Sequence, residues 1–164
     1  MELRKAALVG HSAESMFDLI EAAEAYPAFL PWCAAASILA RSDTEVVATL
    51  AVDYHGLRFE FTTRNPKRRP EWMAISLDRG PFRRFEGEWR LTRLGLAACR
   101  IEFALRYEFS ALLVRTLAGP VFDRIASTFV DAFVARANAT FAAHPGTPDN
   151  RAPHPAAGGD QNDR

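Results

Sequence analysis

Cysteine and histidine are scarce in this chain, and their scarcity excludes a good deal. The 164 residues hold two cysteines and four histidines. Cys33 and Cys99 lie far apart in sequence and fit no metal or redox spacing, so they read as reduced, buried thiols. His11, His55, His144 and His154 are scattered, with no His-x-x-x-His or Cys-x-x-Cys pair to hold a metal. A glycine-rich phosphate loop and a Gly-x-Ser-x-Gly elbow are also missing, and no spacing of Ser, His and Asp picks out a triad. The expectation is a binding protein, not an enzyme, with no catalytic residue, metal or cofactor.

Charge of one sign is missing too. Twenty Lys and Arg balance twenty Asp and Glu, so the marked basic excess of a generic nucleic-acid binder is absent and DNA is not an expected partner. No apolar run approaches the roughly 20 residues of a membrane span. Met1-Glu2-Leu3-Arg4-Lys5 is followed by no apolar signal region. The expected location is the cytoplasm, with at most a peripheral, transient contact at the inner membrane.

What the chain does have is apolar periodicity. In the stretch Ser110–Phe141, residues Leu113, Leu117, Val121, Ile125, Phe129, Phe133, Ala137 and Phe141 recur at every fourth position. Ala118, Phe122, Ala126, Val130 and Val134 form a second row beside them. Two such rows predict a long helix with a wide apolar face, roughly 45 Å for about 30 residues. Gly119-Pro120 interrupts it and predicts a kink or a fresh start. Near the other end, Ser12 is placed to cap a helix over Ala13–Glu24, with Met16, Phe17, Ile20 and Ala23 inward. Tyr26-Pro27 should end that helix.

Between the helices the period switches to two. Leu3–Val9 predicts a first strand. Val46 to Tyr54, Leu57 to Thr63, Trp72 to Asp78, Phe85 to Thr92 and Cys99 to Phe109 alternate apolar with polar, punctuated by His55-Gly56, Asn65-Pro66, Gly80-Pro81 and Gly95. Asn65-Pro66 is read as a strand end. Short connections and one wet face indicate a curved antiparallel sheet of about seven strands, wrapped around the long helix in an α+β fold. Phe59, Phe61, Trp72, Trp89, Phe103 and Tyr107 are expected on its inward face. They either fill a core or line a cavity for a flat apolar ligand. The segment Tyr26-Pro-Ala-Phe-Leu-Pro-Trp-Cys33 is stiff and apolar, suited to a pocket rim or to a plug. From His144 onward proline, glycine and polar residues take over without apolar periodicity. The expected domain is therefore 1–142, with a disordered tail over 143–164.

Two turns concentrate positive charge: Arg64-Asn-Pro-Lys67-Arg68-Arg69, and Arg79 with Arg83 and Arg84. If neighbouring hairpins bring them together, they form a basic patch suited to anionic headgroups or rRNA phosphates. Taken singly, such a turn more often only solubilises.

The ordered segments Tyr26-Pro-x-Phe-Leu-Pro-Trp-Cys33, Phe61-Thr-Thr-Arg-Asn65, Gly80-Pro-Phe82, Gly87-x-Trp89, Ala98-Cys-Arg-Ile-Glu-Phe103, Tyr107-Glu-Phe109 and Pro120-Val-Phe122 carry a resemblance. Over residues 2 to 142 the chain resembles the coenzyme-Q-binding START-type proteins, of polyketide cyclase/dehydrase-like character, which include bacterial ribosome-association toxins. The resemblance implies the helix-grip (START/Bet v 1-like) fold. It also implies two candidate roles: non-enzymatic binding of ubiquinone in support of respiratory electron transport, ranked first, or binding of the large ribosomal subunit to block subunit association. For the first role, the implied ligand site is Trp32, Tyr54, Phe59, Phe61, Phe103, Tyr107, Val121, Ile125 and Phe129, with Pro27, Leu30 and Pro31 at its mouth. There Tyr54 or Tyr107 would hydrogen-bond the quinone. For the second, the expected surface is Arg64, Lys67, Arg68, Arg69, Arg83 and Arg84.

Overall fold

The computed structural model describes residues 1–141. The tail expected over 143–164 lies outside the described residues.

Seven strands form one antiparallel sheet: β1 (Glu2–Val9), β2 (Cys33–Arg41), β3 (Glu45–Tyr54), β4 (Leu57–Arg68), β5 (Trp72–Arg79), β6 (Phe82–Gly95) and β7 (Ala98–Phe109). Helix α1 (Ala13–Glu21) and a short 3-10 segment (Ala23–Ala28) lie between β1 and β2, and α2 (Leu112–Phe141) closes the described chain. The order across the sheet is β1-β7-β6-β5-β4-β3-β2. From β3 to β7 every strand pairs with its predecessor, as short turns require, and β1 pairs with β7.

Local chemistry accounts for most boundaries. Ser12 caps α1, its Oγ accepting from the Ser15 amide at 3.1 Å. The helix stops at Glu21, three residues short of the expected Glu24, and tightens into the 3-10 segment, which carries Pro27. Strand β4 runs through Asn65-Pro66 to Arg68 rather than ending there. A proline is tolerated because the ladder to β3 finishes beside it: Pro66 faces Glu45, the first residue of β3, and the next amide, Lys67, donates to Thr44 O. Gly80, at φ +154°, turns β5 into β6, and a Cβ there would sit 2.6 Å from that of Phe61. That contact and the positive φ both select glycine.

Helix α2 is continuous through Gly119-Pro120. Its buried residues are Ala118, Phe122, Ile125, Ala126, Val130, Phe133 and Ala137. The four-residue row of the sequence is not a single face. Four residues advance about 400°, so each step drifts by about 40°, and Leu113 and Phe133 differ by about 200°. Leu113 and Leu117 accordingly stand about 70% exposed, while Phe133 is fully buried. The stripe that follows the true helical period faces the sheet.

Trp72 also departs from expectation. It pairs with Arg90 and Arg68, both exposed, while its neighbour Met73 pairs with buried Trp89. Met73 therefore takes the inward position, and Trp72 lies on the sheet's outer face.

Candidate functional site

The inward sheet face and α2 enclose two groups of aromatic rings. Phe59, Phe82, Phe109, Phe122 and Tyr107 interlock at the N-terminal end of α2, with Phe82 stacked on Phe109 at 4.7 Å and Tyr107 edge-on to Phe122 at 4.7 Å. Trp89, Phe103, Phe129, Phe133 and Trp32 interlock further along, with Trp89–Phe103 at 4.6 Å and Phe103–Phe129 at 5.1 Å. Between the two groups an apolar cavity of about 70 Å³ remains. Sites for drug-sized ligands run from about 300 Å³ upward, so the rings fill most of the space that the fold offers.

Five of the nine residues expected to touch a ligand line this cavity: Trp32, Phe61, Phe103, Ile125 and Phe129. The other four have different work. Phe59 packs among Phe61, Phe82, Phe109 and Phe122. Val121 is half-buried against the core. Tyr54 is at the β3–β4 turn, edge-on to His55 at 4.2 Å. Tyr107 donates its hydroxyl to Asp123 on α2. Burial and that bond hold the phenol above its ordinary range. Neither tyrosine lines the cavity.

Of the three residues expected at the mouth, Pro27 and Pro31 are exposed and Leu30 is buried, and none lines the cavity. Their segment acts as a plug. Tyr26 is buried and donates to Ile20 O, burial raises its phenol pKa, and Phe29 packs edge-on to Phe133 at 5.2 Å.

The cavity's polar residues were not anticipated. Inward positions of β4 read Phe59, Phe61, Thr63, Asn65 and Lys67, an alternation that passes from aromatic to polar under α1. Thr63, Asn65 and Glu21 line the cavity, and the Asn65 Oδ1 is buried without a hydrogen-bond partner. The Lys67 side chain is 6% exposed and forms an ion pair with Glu21. The signal was in the sequence: carrying the two-residue period through Pro66 turns Asn65 and Lys67 inward. Among the described residues, no three His, Cys, Asp or Glu side chains gather to hold a metal.

The turns at the two ends of the eight-residue strand β5 stand roughly 23 Å apart at 3.3 Å per residue, so Lys67, Arg68 and Arg69 are well separated from Arg79, Arg83 and Arg84, while Arg64, facing Ser76, lies nearer the Arg79 end. Most of their cations are paired: Arg64 with Glu45, Lys67 with Glu21, Arg69 with Asp18 at 2.7 Å, Arg84 with Glu86 at 3.4 Å and Arg83 with Glu108 at 4.0 Å. Arg68 is exposed and, among the described residues, has no carboxylate within ion-pair distance. No helix among the described residues is long and apolar enough to cross a membrane.

Residues 9–134 match the family model described as polyketide cyclase / dehydrase and lipid transport. The chain is 37% identical over 135 residues to the ribosome association toxin RatA of Pseudomonas aeruginosa, covering 82% of this chain and 94% of that protein. It is 27% identical over 143 residues to the mitochondrial coenzyme Q-binding protein COQ10 homolog B of Xenopus laevis, covering 81% of this chain and 56% of that protein. Among solved structures, the Zhui aromatase/cyclase of Streptomyces sp. R1128 superposes with a TM-score of 0.76 at 18% identity, over 90% of this chain and 99% of that one. At that identity the likeness concerns the fold.

Proposed function

This chain belongs to the polyketide cyclase/dehydrase and lipid-transport family, and on that premise we propose that it acts in the cytoplasm as a non-catalytic, ribosome-directed protein, binding the large subunit and blocking subunit association. One observation carries this reading: 37% identity to a ribosome association toxin over 82% of this chain and 94% of that protein. It reverses the order in which the sequence ranked the two roles.

Cavity size supports the same choice. A ubiquinone ring with even a short isoprenoid tail needs several times the 70 Å³ left between the ring groups. The two tyrosines assigned to hold it do not line that space. Overproduction of the protein followed by sucrose-gradient sedimentation tests the proposal. Joined ribosomes should fall and free subunits rise, with the protein co-migrating with the large subunit. An unchanged profile, with folded protein present in quantity, refutes it.

The relative that binds coenzyme Q favours a second reading, a carrier of a quinone-like lipid. It requires the Phe103–Phe129 and Phe59–Phe122 contacts to part on binding. Solvent extraction of the protein purified from cells, with mass spectrometry of the lipids, tests that reading; no quinone in the extract and no uptake of added ubiquinone eliminate it.

A further inference from the structure

We propose that the outer face of the sheet around Trp72 is a contact platform for unpaired RNA, stacking a base on the indole and holding the adjoining phosphate with Arg68, with Arg90 flanking the ring; this rests on the ribosome-directed reading. Strand register makes the platform. Arg68 of β4, Trp72 of β5 and Arg90 of β6 are direct cross-strand partners, so they form one row across three strands. Side chains in such a row stand about 5 Å apart on the same face.

Trp72 is unlike the other two tryptophans. Trp32 and Trp89 are 6% and 1% exposed and belong to the interior, whereas Trp72 is on the wet face and only half-buried. It adds nothing to the core. Its Nε1 donates to Glu88 Oε1 at 3.0 Å, which ties the indole to the neighbouring strand and leaves it pre-oriented. An open groove of about 540 Å³ runs beside it, lined by Arg68, Arg90, Thr92 and Arg93 together with Glu71 and Glu102.

The carboxylates around the row are largely engaged. Glu88 receives both Trp72 and Arg90, Glu102 receives Arg100 at 3.3 Å, and Glu14 receives Arg93. Arg68 keeps its charge unpaired among the described residues, and so does Glu71 at the turn.

A planar π surface between two guanidiniums recognises a flat ring joined to an anion, which is the chemistry of a nucleotide. Bases in a duplex are stacked and shielded, so the fitting occupant is a loop or single strand. With few free cations, base stacking carries the affinity, and salt dependence is shallow. One phosphate contact, at Arg68, gives a slope of log affinity on log salt of about −0.7 on a single strand, since Arg90 is already ion-paired to Glu88.

The test uses the full chain and an eight-nucleotide single-stranded RNA, followed by tryptophan fluorescence and by anisotropy of labelled RNA. Wild-type fluorescence should be quenched by RNA, and that quenching should vanish in Trp72→Phe, whose smaller ring retains part of the affinity. Trp72→Ala should weaken binding about 5- to 100-fold, and Arg68→Glu about tenfold, with both variants melting as the wild type does. Equal affinity in Trp72→Ala and wild type overturns the platform, as does RNA that leaves the fluorescence unchanged.

Co-sedimentation with purified large subunits separates the two levels of inference. If wild type and Trp72→Ala bind alike, the platform is wrong and the ribosome reading survives. If wild type does not bind at all, the ribosome reading itself fails. Binding to isolated ribosomal proteins but not to RNA also overturns the platform.

Discussion

Lys67 and Arg68 are neighbours in one basic turn, and the structure gives them opposite roles that a pair of substitutions separates. Lys67 points inward to Glu21 of α1, the two side chains being 6% and 16% exposed. Arg68 points outward without a carboxylate partner among the described residues. Lys67→Met keeps the aliphatic stem and removes the charge, stranding Glu21 in a poorly hydrated position. Breaking a fully buried pair costs about 3–5 kcal/mol. Here Glu21 retains some water and Arg41 at 3.8 Å, so the expected loss is about 2–3 kcal/mol. For a domain of this size that lowers Tm by about 5–10 °C, at roughly 2–4 °C per kcal/mol. Arg68→Met should stay within about 0.5 kcal/mol of wild type. Urea titration followed by circular dichroism, with a thermal melt, measures both, and adding Glu21→Leu to Lys67→Met should recover much of the loss. Equal stability of the two single variants would refute the placement of Lys67 beneath α1.

Three further outcomes are expected. Phe122→Ala, which removes a ring packed against Phe82, Phe109 and Tyr107, should cost about 3–5 kcal/mol, whereas Leu113→Ser and Leu117→Ser should stay within about 0.5 kcal/mol in the same urea titration. Ser12→Ala should cost about 1 kcal/mol by losing the cap on α1, and Ser12→Asp should retain it, read as a pair of thermal melts. Burial pushes the Cys33 thiol up to about 11 from an ordinary 9.0, so native protein should react with iodoacetamide at pH 8 far more slowly than unfolded protein. Because the native thiol keeps its proton longer than the unfolded one, its contribution to stability is complete below pH 9 and declines as pH rises towards 11; a melting temperature that rises across that interval contradicts the assignment.

Much of the architecture was legible because period and punctuation agree. Six of the seven strands, the hairpin order from β3 to β7, the Ser12 cap and the long helix follow from alternation, turn residues and a capping side chain; β2, rich in alanine, carried no clear alternation. The failures have physical causes. Pro66 looked like a strand end, but it falls where the ladder to β3 runs out, and no amide was needed there. Trp72 and Met73 are adjacent and both apolar, so a short strand gave no phase, and the bulkier residue was assigned to the wrong face. A row at every fourth residue looked like one helix face, and only its drift separates Leu113 from Phe133. The cavity was the least legible part. Alternation decides which rings point inward, but how closely Phe59, Phe82, Phe109 and Phe122 interlock depends on side-chain geometry that no spacing encodes. Tyr107 illustrates the point: the strand pattern turned it inward, and its engagement with Asp123 on α2 joins residues that no local pattern connects.

The pairing of β1 with β7 has a consequence for the order of folding. Every other pairing in the sheet joins consecutive strands across short turns, so β2 to β7 can zip up progressively, each step closing a small loop. Strand β1 has no local partner. Glu2 meets Arg106 and Val9 meets Cys99, so about ninety to a hundred residues must be emplaced before it can pair. Until then the edge of β7 is an open ladder of donors and acceptors, the kind of edge that recruits strands from other chains. Strand β1 covers that edge and becomes the outer strand in its place, carrying Arg4 and Lys5, charges of the kind that discourage another chain from adding on.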